Sequence, residues 1–319
     1  MRIWFFGTPS LATSVLRDLI TTSDIEVVFV VTNPDKSVGR SWELQSTPVK
    51  TLAILHSIPV FTPTRIRENI ELLDQLRSYN CDYFIVVAYG KILPTSLLEI
   101  PKKMCINIHG SILPAFRGAS PIQAALLGGE KETGVTIMEM SEWMDEGDIL
   151  KIRTQSIDPT ETSLTLFEKF AKISGVTLIQ TLRELEVWGI TPLPQDHLRA
   201  TYCKKIDKED GLIQWTDSAL SIYHKWQAYT PWPGIYTMYE GKRLLLEQVQ
   251  SSEFIEVYPL EDKVESGKPW TVLKREDGTI WVVCGEWVLT LEQVKLEWKK
   301  SQSIRDFVNG NQKFISSTL

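Results

Sequence analysis

The chain has 319 residues, of which 43% are hydrophobic and 23% are charged. This length exceeds that of a typical single domain, and the ordinary globular composition excludes disordered and fibrous proteins. The formal net charge is −6, and the segment 206–319 carries 13 Lys+Arg against 17 Asp+Glu. Because neither part of the chain is basic, any affinity for nucleic acid would come from local patches.

Neither a membrane segment nor a metal centre is indicated. The first apolar run, Ile3 to Phe6, stops at Gly7-Thr8-Pro9, too early for a signal sequence or a membrane span. The four cysteines are widely scattered and form no CxxC pair. We therefore expect a cytoplasmic protein with free thiols, no disulfide framework and no metal site.

The first two-thirds of the chain alternates strand-like and helix-like segments. Apolar runs at 2–6, 26–31, 82–88 and 104–108 are typical of strands that are covered on both faces. Helical spacing follows the first run, and Ser46 with Pro48 predicts the start of a capped helix. Repeated β-α-β units of this kind predict an α/β fold with an open, mostly parallel, Rossmann-like sheet and helices on both faces.

The pattern changes toward the end of the first domain. A long helix over 163–188, which Gly175 could interrupt, is predicted to close this domain, and residues 190–210 are typical of a linker. Beyond a helix near 218–226, short strands separated by Gly and Asp turns predict a small antiparallel, OB-like β-barrel. We therefore expect a first domain over 1–189, a linker over 190–210 and a barrel domain over 211–319. The tryptophans of this last part fit a barrel core better than a base-stacking surface: Trp215, Trp226, Trp232, Trp270, Trp281, Trp287 and Trp298.

Open parallel sheets bind their ligands beyond the carboxyl ends of the strands, so the loops that follow the predicted strands are candidate sites. No GxGxxG follows the first strand, so dinucleotide binding is not indicated. Asn107 and His109 are two residues apart near the end of a strand, which puts their side chains on one face. Asp145 stands in an acidic turn further on. Alone, His109 would be interpreted as a packed residue and Asp145 as a solvated one, but together they allow an amide, an imidazole and a carboxylate to converge.

Three segments carry a family resemblance: NIHGSILPAFRGASPIQ, TGVTIM and MDEGDIL. They resemble the folate-dependent formyltransferases, and most of all the members that act on methionyl-tRNA. FGTP, TNPDKSVGR and VVAYGKILP are similar to other loops of that family, and ATYCKKIDKEDGLIQW and YTPWPG are similar to its C-terminal domain. The resemblance therefore covers nearly the whole chain.

The resemblance implies transfer of the formyl group of 10-formyltetrahydrofolate to the free amino group of initiator methionyl-tRNA, for translation initiation. It makes Asn107, His109 and Asp145 the catalytic residues. The amide and a protonated imidazole would donate hydrogen bonds to the oxygen that becomes negative as the amine attacks. His109, oriented by Asp145, would also act as a general acid toward the leaving nitrogen of the folate.

The same resemblance assigns binding residues, and it implies no metal. The folate-binding residues are Ser111, Ile112, Leu113 and Pro114, with Tyr89, Gly90 and Ile92 as the opposite wall. The substrate-binding residues are Arg40, near the RNA end of the substrate, together with Leu11 and Thr8. We expect the protein to act as a monomer.

Two positions depart from the family pattern. Ser41-Trp42-Glu43 follows Arg40 where the family has glycine and lysines, and Ser10-Leu11 replaces an acidic residue and a phenylalanine. A glutamate beside the RNA end would repel phosphate. The alternatives are therefore a formyltransferase for another amine, such as an amino sugar nucleotide, a 10-formyltetrahydrofolate hydrolase, or a catalytically idle folate- or RNA-binding protein.

Overall fold

The structure is a computed structural model of the chain, and it describes residues 1–38, 43–66, 70–251 and 269–315. The chain forms two compact units. The first unit comprises Met1–Pro121, Glu132–Ser156 and Leu166–Lys204, and the second comprises Ile122–Lys131, Ile157–Thr165 and Lys205–Leu319.

The first unit is built around a mostly parallel sheet. Its strands, in chain order, are β1 (Arg2–Gly7), β2 (Glu26–Val31), β3 (Lys36–Val38), β4 (Glu43–Gln45), β5 (Val60–Phe61), β6 (Tyr83–Val87), β7 (Met104–His109), β8 (Arg117–Gly118), β9 (Glu132–Glu139), β10 (Ile149–Ser156) and β11 (Tyr202–Cys203). The helices up to residue 187 are α1 (Ser10–Ile20), α2 (Pro48–Leu55), α3 (Ile70–Ser78), α4 (Thr95–Leu98), α5 (Pro121–Leu127) and α6 (Ser163–Val187). A 3-10 turn spans His197–Arg199.

The central sheet has the strand order β10-β9-β7-β6-β1-β2-β5. The ladders that join β5, β2, β1, β6 and β7 are all parallel, whereas β9 runs antiparallel to both of its neighbours. This sheet confirms the predicted α/β, Rossmann-like fold class. The small pairs β3–β4, antiparallel, and β8–β11, parallel, lie outside it.

The apolar character of the central strands follows from their burial. Trp4, Phe29 and Phe84 are fully buried, and the rings of Trp4 and Phe84 stack with centroids 4.3 Å apart. Burying each such side chain contributes about 1.5 to 3 kcal/mol relative to leaving it exposed. The central strands are apolar along their length because both faces of the sheet are covered. Polar residues lie at the strand ends.

The structure corrects one local prediction for this unit and decides one possibility that the sequence left open. The N-cap of α2 is Thr47 and not Ser46, because the Thr47 hydroxyl accepts a hydrogen bond from the backbone N of Lys50 at 3.1 Å. The helix α6 is continuous through Gly175. A Cβ at position 175 would lie 2.0 Å from Oδ2 of Asp18, so the glycine allows close contact with α1 and does not end the helix.

The second unit contains an antiparallel sheet, also as predicted. Its strands are β12 (Ile235–Tyr239), β13 (Lys242–Ser251), β14 (Val272–Lys274), β15 (Ile280–Val283), β16 (Val288–Leu296) and β17 (Gln302–Ser303). Its helices are α7 (Ala219–Tyr229) and α8 (Ile304–Gly310), together with α5 from Ile122 onward. Short 3-10 turns span Lys208–Gly211 and Gln312–Phe314. The order is β12-β13-β16-β15-β14, with β17 on β16, and no ladder among the described residues joins β12 to β14.

The tryptophans of this unit are less buried than expected. Trp215 is 4% exposed and packs inside, where its Nε1 donates to the hydroxyl of Thr237 at 3.0 Å. Trp232, Trp287 and Trp298 are 57%, 40% and 85% exposed. The prediction that the tryptophans form the core was therefore wrong for these three, and aromatic side chains such as Tyr239, Phe307 and Phe314 pack edge to face in the core instead.

No described helix is both long and apolar enough to cross a membrane.

The cysteine thiols are free. Cys81, Cys105 and Cys284 are buried, and Cys203 is partly buried. Burial raises the pKa of the Cys81 and Cys284 thiols to about 12, so neither is a thiolate near neutral pH.

Candidate active site

The imidazole of His109 and the carboxylate of Asp145 meet at the carboxyl end of β7. Nδ1 of His109 lies 3.5 Å from Oδ1 of Asp145, and the two side chains are 6% and 12% exposed. Asn107 is partly buried and shares a face of β7 with His109, because the two residues are two positions apart on a strand. The structure therefore brings the imidazole and the carboxylate together and puts the amide on the same face of the strand.

A glycine holds the second oxygen of Asp145. The backbone N of Gly118 donates to Oδ2 of Asp145 at 2.8 Å. Gly118 has φ 116°, and a Cβ there would lie 2.2 Å from the carbonyl oxygen of Cys203. Only glycine fits this position, so the sequence PAFRG places a backbone donor under the carboxylate.

Both ring nitrogens of His109 face acceptors. Nε2 lies 2.9 Å from the carbonyl oxygen of Phe116, on the opposite side of the ring from Asp145. A neutral imidazole has one N–H donor, so only the doubly protonated ring can donate to both groups. A substrate oxygen at Nε2 would therefore share that hydrogen with the Phe116 carbonyl.

The loop after β7 divides into buried and accessible residues. Ser111 is fully buried, with its hydroxyl donating to the carbonyl of Ala115 at 2.5 Å, and Leu113 is 2% exposed. Ile112 and Pro114 are only partly buried, so they are the loop residues whose side chains can meet a ligand. The buried side chains of Ser111 and Leu113 shape the loop.

Thr136 on β9 fixes this loop and was not recognised as important from the sequence. Its hydroxyl donates to the carbonyl of Ser111 at 2.6 Å and accepts from the backbone N of Leu113 at 3.2 Å. Thr136 is fully buried, so these bonds satisfy a hydroxyl that water cannot reach. A threonine within a buried strand was the available signal, since such a hydroxyl must find a partner in the fold.

The loop after β6 also divides in this way. Tyr89 is 1% exposed and its ring lies edge to face against Phe6, so this side chain belongs to the core. Burial raises the pKa of the Tyr89 hydroxyl. Gly90 has φ 75° with open space where a Cβ would stand, and Ile92 is 68% exposed. Of the predicted wall, Gly90 and Ile92 are accessible, whereas Tyr89 can offer only its backbone.

The predicted substrate residues differ in their surroundings. Thr8 lines a cavity of about 690 Å³ that Arg17 and Lys36 also line, and its hydroxyl accepts from Nδ2 of Asn33 at 2.9 Å. Leu11 is 9% exposed, so little of its surface can meet a substrate. Arg40 lies outside the described residues, as do Ser41 and Trp42.

Asn33 joins three strand-end loops and was not singled out from the sequence. Nδ2 of Asn33 donates to the hydroxyl of Thr8 and, at 3.0 Å, to the carbonyl of Tyr89. It thereby connects the loops that follow β1, β2 and β6. Its place in a loop of turn-forming residues gave no sign of these long-range contacts.

Arg117 and Gln195 are two further residues of this region whose contacts the sequence did not indicate. Arg117 has no exposed surface, and Oε1 of Gln195 accepts from its Nε and Nη2 at 3.1 and 2.8 Å. Gln195 lies in the segment interpreted as a linker, and up to Lys204 this segment clusters with the first unit. In the part of the chain that the structure describes, no group of three or more His, Cys, Asp or Glu side chains could hold a metal ion.

Comparison with known proteins gives matches over both parts of the chain. A family model described as "Formyl transferase" matches residues 1–182, and one described as "Formyl transferase, C-terminal domain" matches residues 205–312. A methionyl-tRNA formyltransferase of Caldicellulosiruptor saccharolyticus is 40% identical over 310 residues, which cover 97% of each chain. A methionyl-tRNA formyltransferase of Synechococcus sp. (strain JA-2-3B'a(2-13)) is 41% identical over 98% of this chain and 96% of the relative.

A solved structure shares the fold at much lower identity. It is that of WlaRD, a sugar 3N-formyltransferase determined in the presence of dTDP and 5-N-formyl-THF. The TM-score is 0.65 at 16% sequence identity, and the match covers 94% of this chain and 99% of that one.

Proposed function

The chain belongs to the formyl transferase family, and we propose on this premise that it transfers the formyl group of 10-formyltetrahydrofolate to the free amino group of initiator methionyl-tRNA. The family resemblance predicted from the sequence is thereby confirmed. The observation that carries the proposal is the pairing of His109 with Asp145 at the end of β7, in a chain that matches methionyl-tRNA formyltransferases over nearly its whole length.

The chemistry requires two changes at nitrogen. The amine of the acceptor attacks the formyl carbon and loses a proton, while the bond from that carbon to N10 of the folate breaks and N10 gains a proton. Asn107 and the Nε2 hydrogen of His109 donate to the formyl oxygen as it becomes negative, and one such donor is worth roughly 3 to 4 kcal/mol of barrier. As the intermediate breaks down, this Nε2 proton passes through a relay to N10, and the neutral imidazole takes up the proton that the amine loses. His109 thus also acts as the general acid, a role that typically contributes about a hundred- to ten-thousand-fold.

The folate lies between the loops after β6 and β7. Ile112 and Pro114 on one side and Gly90 and Ile92 on the other have accessible surface, which suits the flat apolar faces of a pteridine ring. Ser111, Leu113 and Tyr89 contribute to its polar edge the backbone groups that are not bonded to Thr136 or Asn33. Their buried side chains support this division of roles.

The acceptor is held by both parts of the chain. Residues 1–189 carry the catalytic site, where Thr8 and the small exposed part of Leu11 contact the methionyl end and Arg40 contacts phosphate. Residues 211–319 bind the tRNA, and 190–210 connect the two domains. The exposed rings of Trp232 and Trp298 are available for stacking on bases, which supports this role. The protein acts as a monomer in the cytoplasm.

The test offers purified protein 10-formyltetrahydrofolate with charged initiator tRNA, with a free amino sugar nucleotide, and with no acceptor. We expect formylation of the methionyl-tRNA only. Formylation of the amino sugar nucleotide, or release of formate at the same rate without an acceptor, would contradict the proposed acceptor. The His109→Asn variant serves as the inactive control in each reaction.

A further inference from the structure

A glutamine lies behind the turn that carries Asp145. Gln195 is 6% exposed, and its Nε2 donates to the backbone carbonyls of Asp145 and Gly147 at 2.9 and 2.7 Å. Its Oε1 accepts both bonds from Arg117. One side-chain amide therefore joins a buried arginine to two carbonyls on either side of Glu146.

The turn that carries Asp145 also holds Arg117. Nη1 of Arg117 lies 3.2 Å from Oε1 of Glu146, and Nδ1 of His197 lies 3.4 Å from Nη1 and Nη2. A guanidinium without exposed surface is strongly unfavourable unless it is paired and hydrogen-bonded. Arg117, Gln195 and Glu146 thus fix one another's positions.

The segment around Gln195 is fastened on both sides. Leu193 exchanges two backbone hydrogen bonds with Ile149, at 2.8 and 2.9 Å. Beyond Gln195, the hydroxyl of Thr201 accepts from the backbone N of Phe116 at 2.8 Å, and β11 pairs with β8. Gln195 therefore holds its position without help from a ligand.

The turn that Gln195 contacts has an unusual backbone conformation. Asp145 has φ 56°, a left-handed conformation that non-glycine residues seldom adopt. A Cβ at Gly147 would lie 1.9 Å from the carbonyl oxygen of Glu139, so the chain is tightly confined there. The direction of the Asp145 side chain depends on this conformation, and the bonds from Gln195 orient the peptide groups on both sides of Glu146.

We propose that Gln195, held by Arg117, is a positioning residue for formyl transfer. Its two N–H bonds fix the turn so that Oδ1 of Asp145 faces His109 and Oδ2 faces the N of Gly118. Gln195 acts through Asp145 and does not contact the reacting atoms. The inference rests on the proposed function for its kinetic test, but it also has a structural test that needs no activity.

The kinetic test uses Gln195→Glu. The new carboxylate keeps an oxygen for Arg117 but puts the other oxygen against two carbonyls in place of the N–H donors. We expect kcat to fall about 10- to 100-fold, as for a misplaced catalytic group, while KM for the folate donor changes by less than about threefold. An unchanged kcat, or an equal change in KM alone, would overturn the proposal.

The chain offers a matched control. Gln227 is 4% exposed, and its Nε2 also donates to two backbone carbonyls, those of Pro159 and Glu161, at 2.9 and 2.7 Å. Gln227→Glu makes the same chemical change at an equally buried amide whose two N–H bonds go to Pro159 and Glu161. We expect its kcat to stay within about twofold of the wild type, which separates positioning from a general loss of packing.

A double-variant cycle identifies the residue through which Gln195 acts. If Gln195 acts through Asp145, adding Gln195→Glu to Asp145→Asn lowers kcat by less than about twofold further. If the two losses multiply, Gln195 acts elsewhere and the proposal fails.

Hydrogen exchange provides the test that is independent of activity. The Gly118 amide donates to Asp145, so its exchange rate reports the position of that carboxylate. We expect faster exchange of Gly118 in Gln195→Glu and wild-type exchange in Gln227→Glu. If Gly118 exchanged at the wild-type rate in both variants, the inference would be overturned, whether or not formyl transfer is observed. A wild-type protein without formyl transfer activity would count against the proposed function alone. If Gln195→Glu does not fold, Gln195→Met, uncharged and of similar length, takes its place in every measurement.

Discussion

Asp145 has two separate partners for its two oxygens. Oδ1 lies near Nδ1 of His109 and Oδ2 accepts from the N of Gly118, so the carboxylate is directed by one side chain and one backbone group. His109 stands between this carboxylate and the carbonyl of Phe116, which leaves its ring little freedom to turn. At the scale of single residues, the site is thus a close imidazole–carboxylate contact flanked by two hydrogen bonds to backbone groups, in which each member must keep its donor or acceptor role.

Replacing either ionisable member should abolish most of the catalysis. We expect His109→Asn and Asp145→Asn each to lower kcat at least about a hundredfold with folding intact, because the proton donor or the group that orients it is lost. Single-turnover formylation and circular dichroism measure the two effects. Glu142→Gln, which removes an exposed carboxylate from the same loop, should leave kcat unchanged. Near-normal turnover of Asp145→Asn would contradict the role of that carboxylate.

At the scale of elements, side-chain bonds set where helices begin and how they meet the sheet. Thr47 caps α2 and also lies 2.9 Å from the hydroxyl of Thr32, so it fastens the helix start to the end of β2. Glu186 near the end of α6 accepts from the hydroxyl of Tyr83 on β6 at 2.7 Å and from Lys103. Both contacts connect a helix to the central sheet.

The two adjacent hydroxyls before α2 should differ in their effect on stability. Thr47→Ala removes the cap, and we expect a loss of about 1 kcal/mol in the free energy of unfolding. Ser46→Ala, one residue earlier, removes no cap and should change it by less than about 0.5 kcal/mol. Urea unfolding of both variants gives the comparison. Equal losses would mean that the cap does not stabilise the helix as described.

The contact of Glu186 should make stability depend on pH. The hydrogen bond from Lys103, and then that from Tyr83, lower the pKa of the Glu186 carboxyl below its ordinary value of 4.5. A lowered carboxyl pKa contributes stability that is complete above pH 4.5 and is lost as the pH falls through the folded-state value.

We therefore expect Glu186→Gln to destabilise the protein at pH 7 and to lose this effect on acidification. Urea unfolding of the variant and the wild type, at pH 7 and below pH 4.5, measures this difference in the free energy of unfolding. Glu168→Gln, at an exposed position of the same helix, should show a smaller difference between the two conditions. A difference between Glu186→Gln and the wild type that persists unchanged in acid would exclude this linkage.

At the scale of the whole molecule, charge limits how RNA can be held. The chain has a net charge of −6, and its last part, 206–319, is also acidic. A protein with this net negative charge does not attract tRNA through its overall electrostatic field. Binding therefore depends on a few directed phosphate contacts and on stacking.

The salt dependence of tRNA binding should accordingly be shallow. Each phosphate contact contributes roughly 0.7 to 0.9 to the slope of log affinity against log salt, so we expect a slope of magnitude below about 4 for the KM toward methionyl-tRNA. The KM toward the folate donor over the same salt range is the control, and it should change less. A slope of about 8 or more would require a basic surface that the composition does not suggest.

Local patterns along the chain were enough to predict the class of both sheets and the family. Buried strands show as apolar runs and loops as clusters of turn residues, because these patterns depend on neighbours along the chain. The run from Asn107 to Gln123 carried the resemblance for a similar reason, since a strand end and its loop form one local unit.

The residues that hold this strand end and its loop in place became visible only in the fold. The sequence predicted Ser46 as the cap of α2, but the bond from the backbone N of Lys50 shows that Thr47 has this role. Gly175, which could have interrupted α6, instead leaves room for Asp18 of α1. Gln195 looked like part of a linker, yet it reaches across 50 positions to the carbonyl of Asp145. A buried amide or guanidinium is satisfied by partners that are distant in the chain, and no local pattern of residues records which distant groups the fold will bring to it.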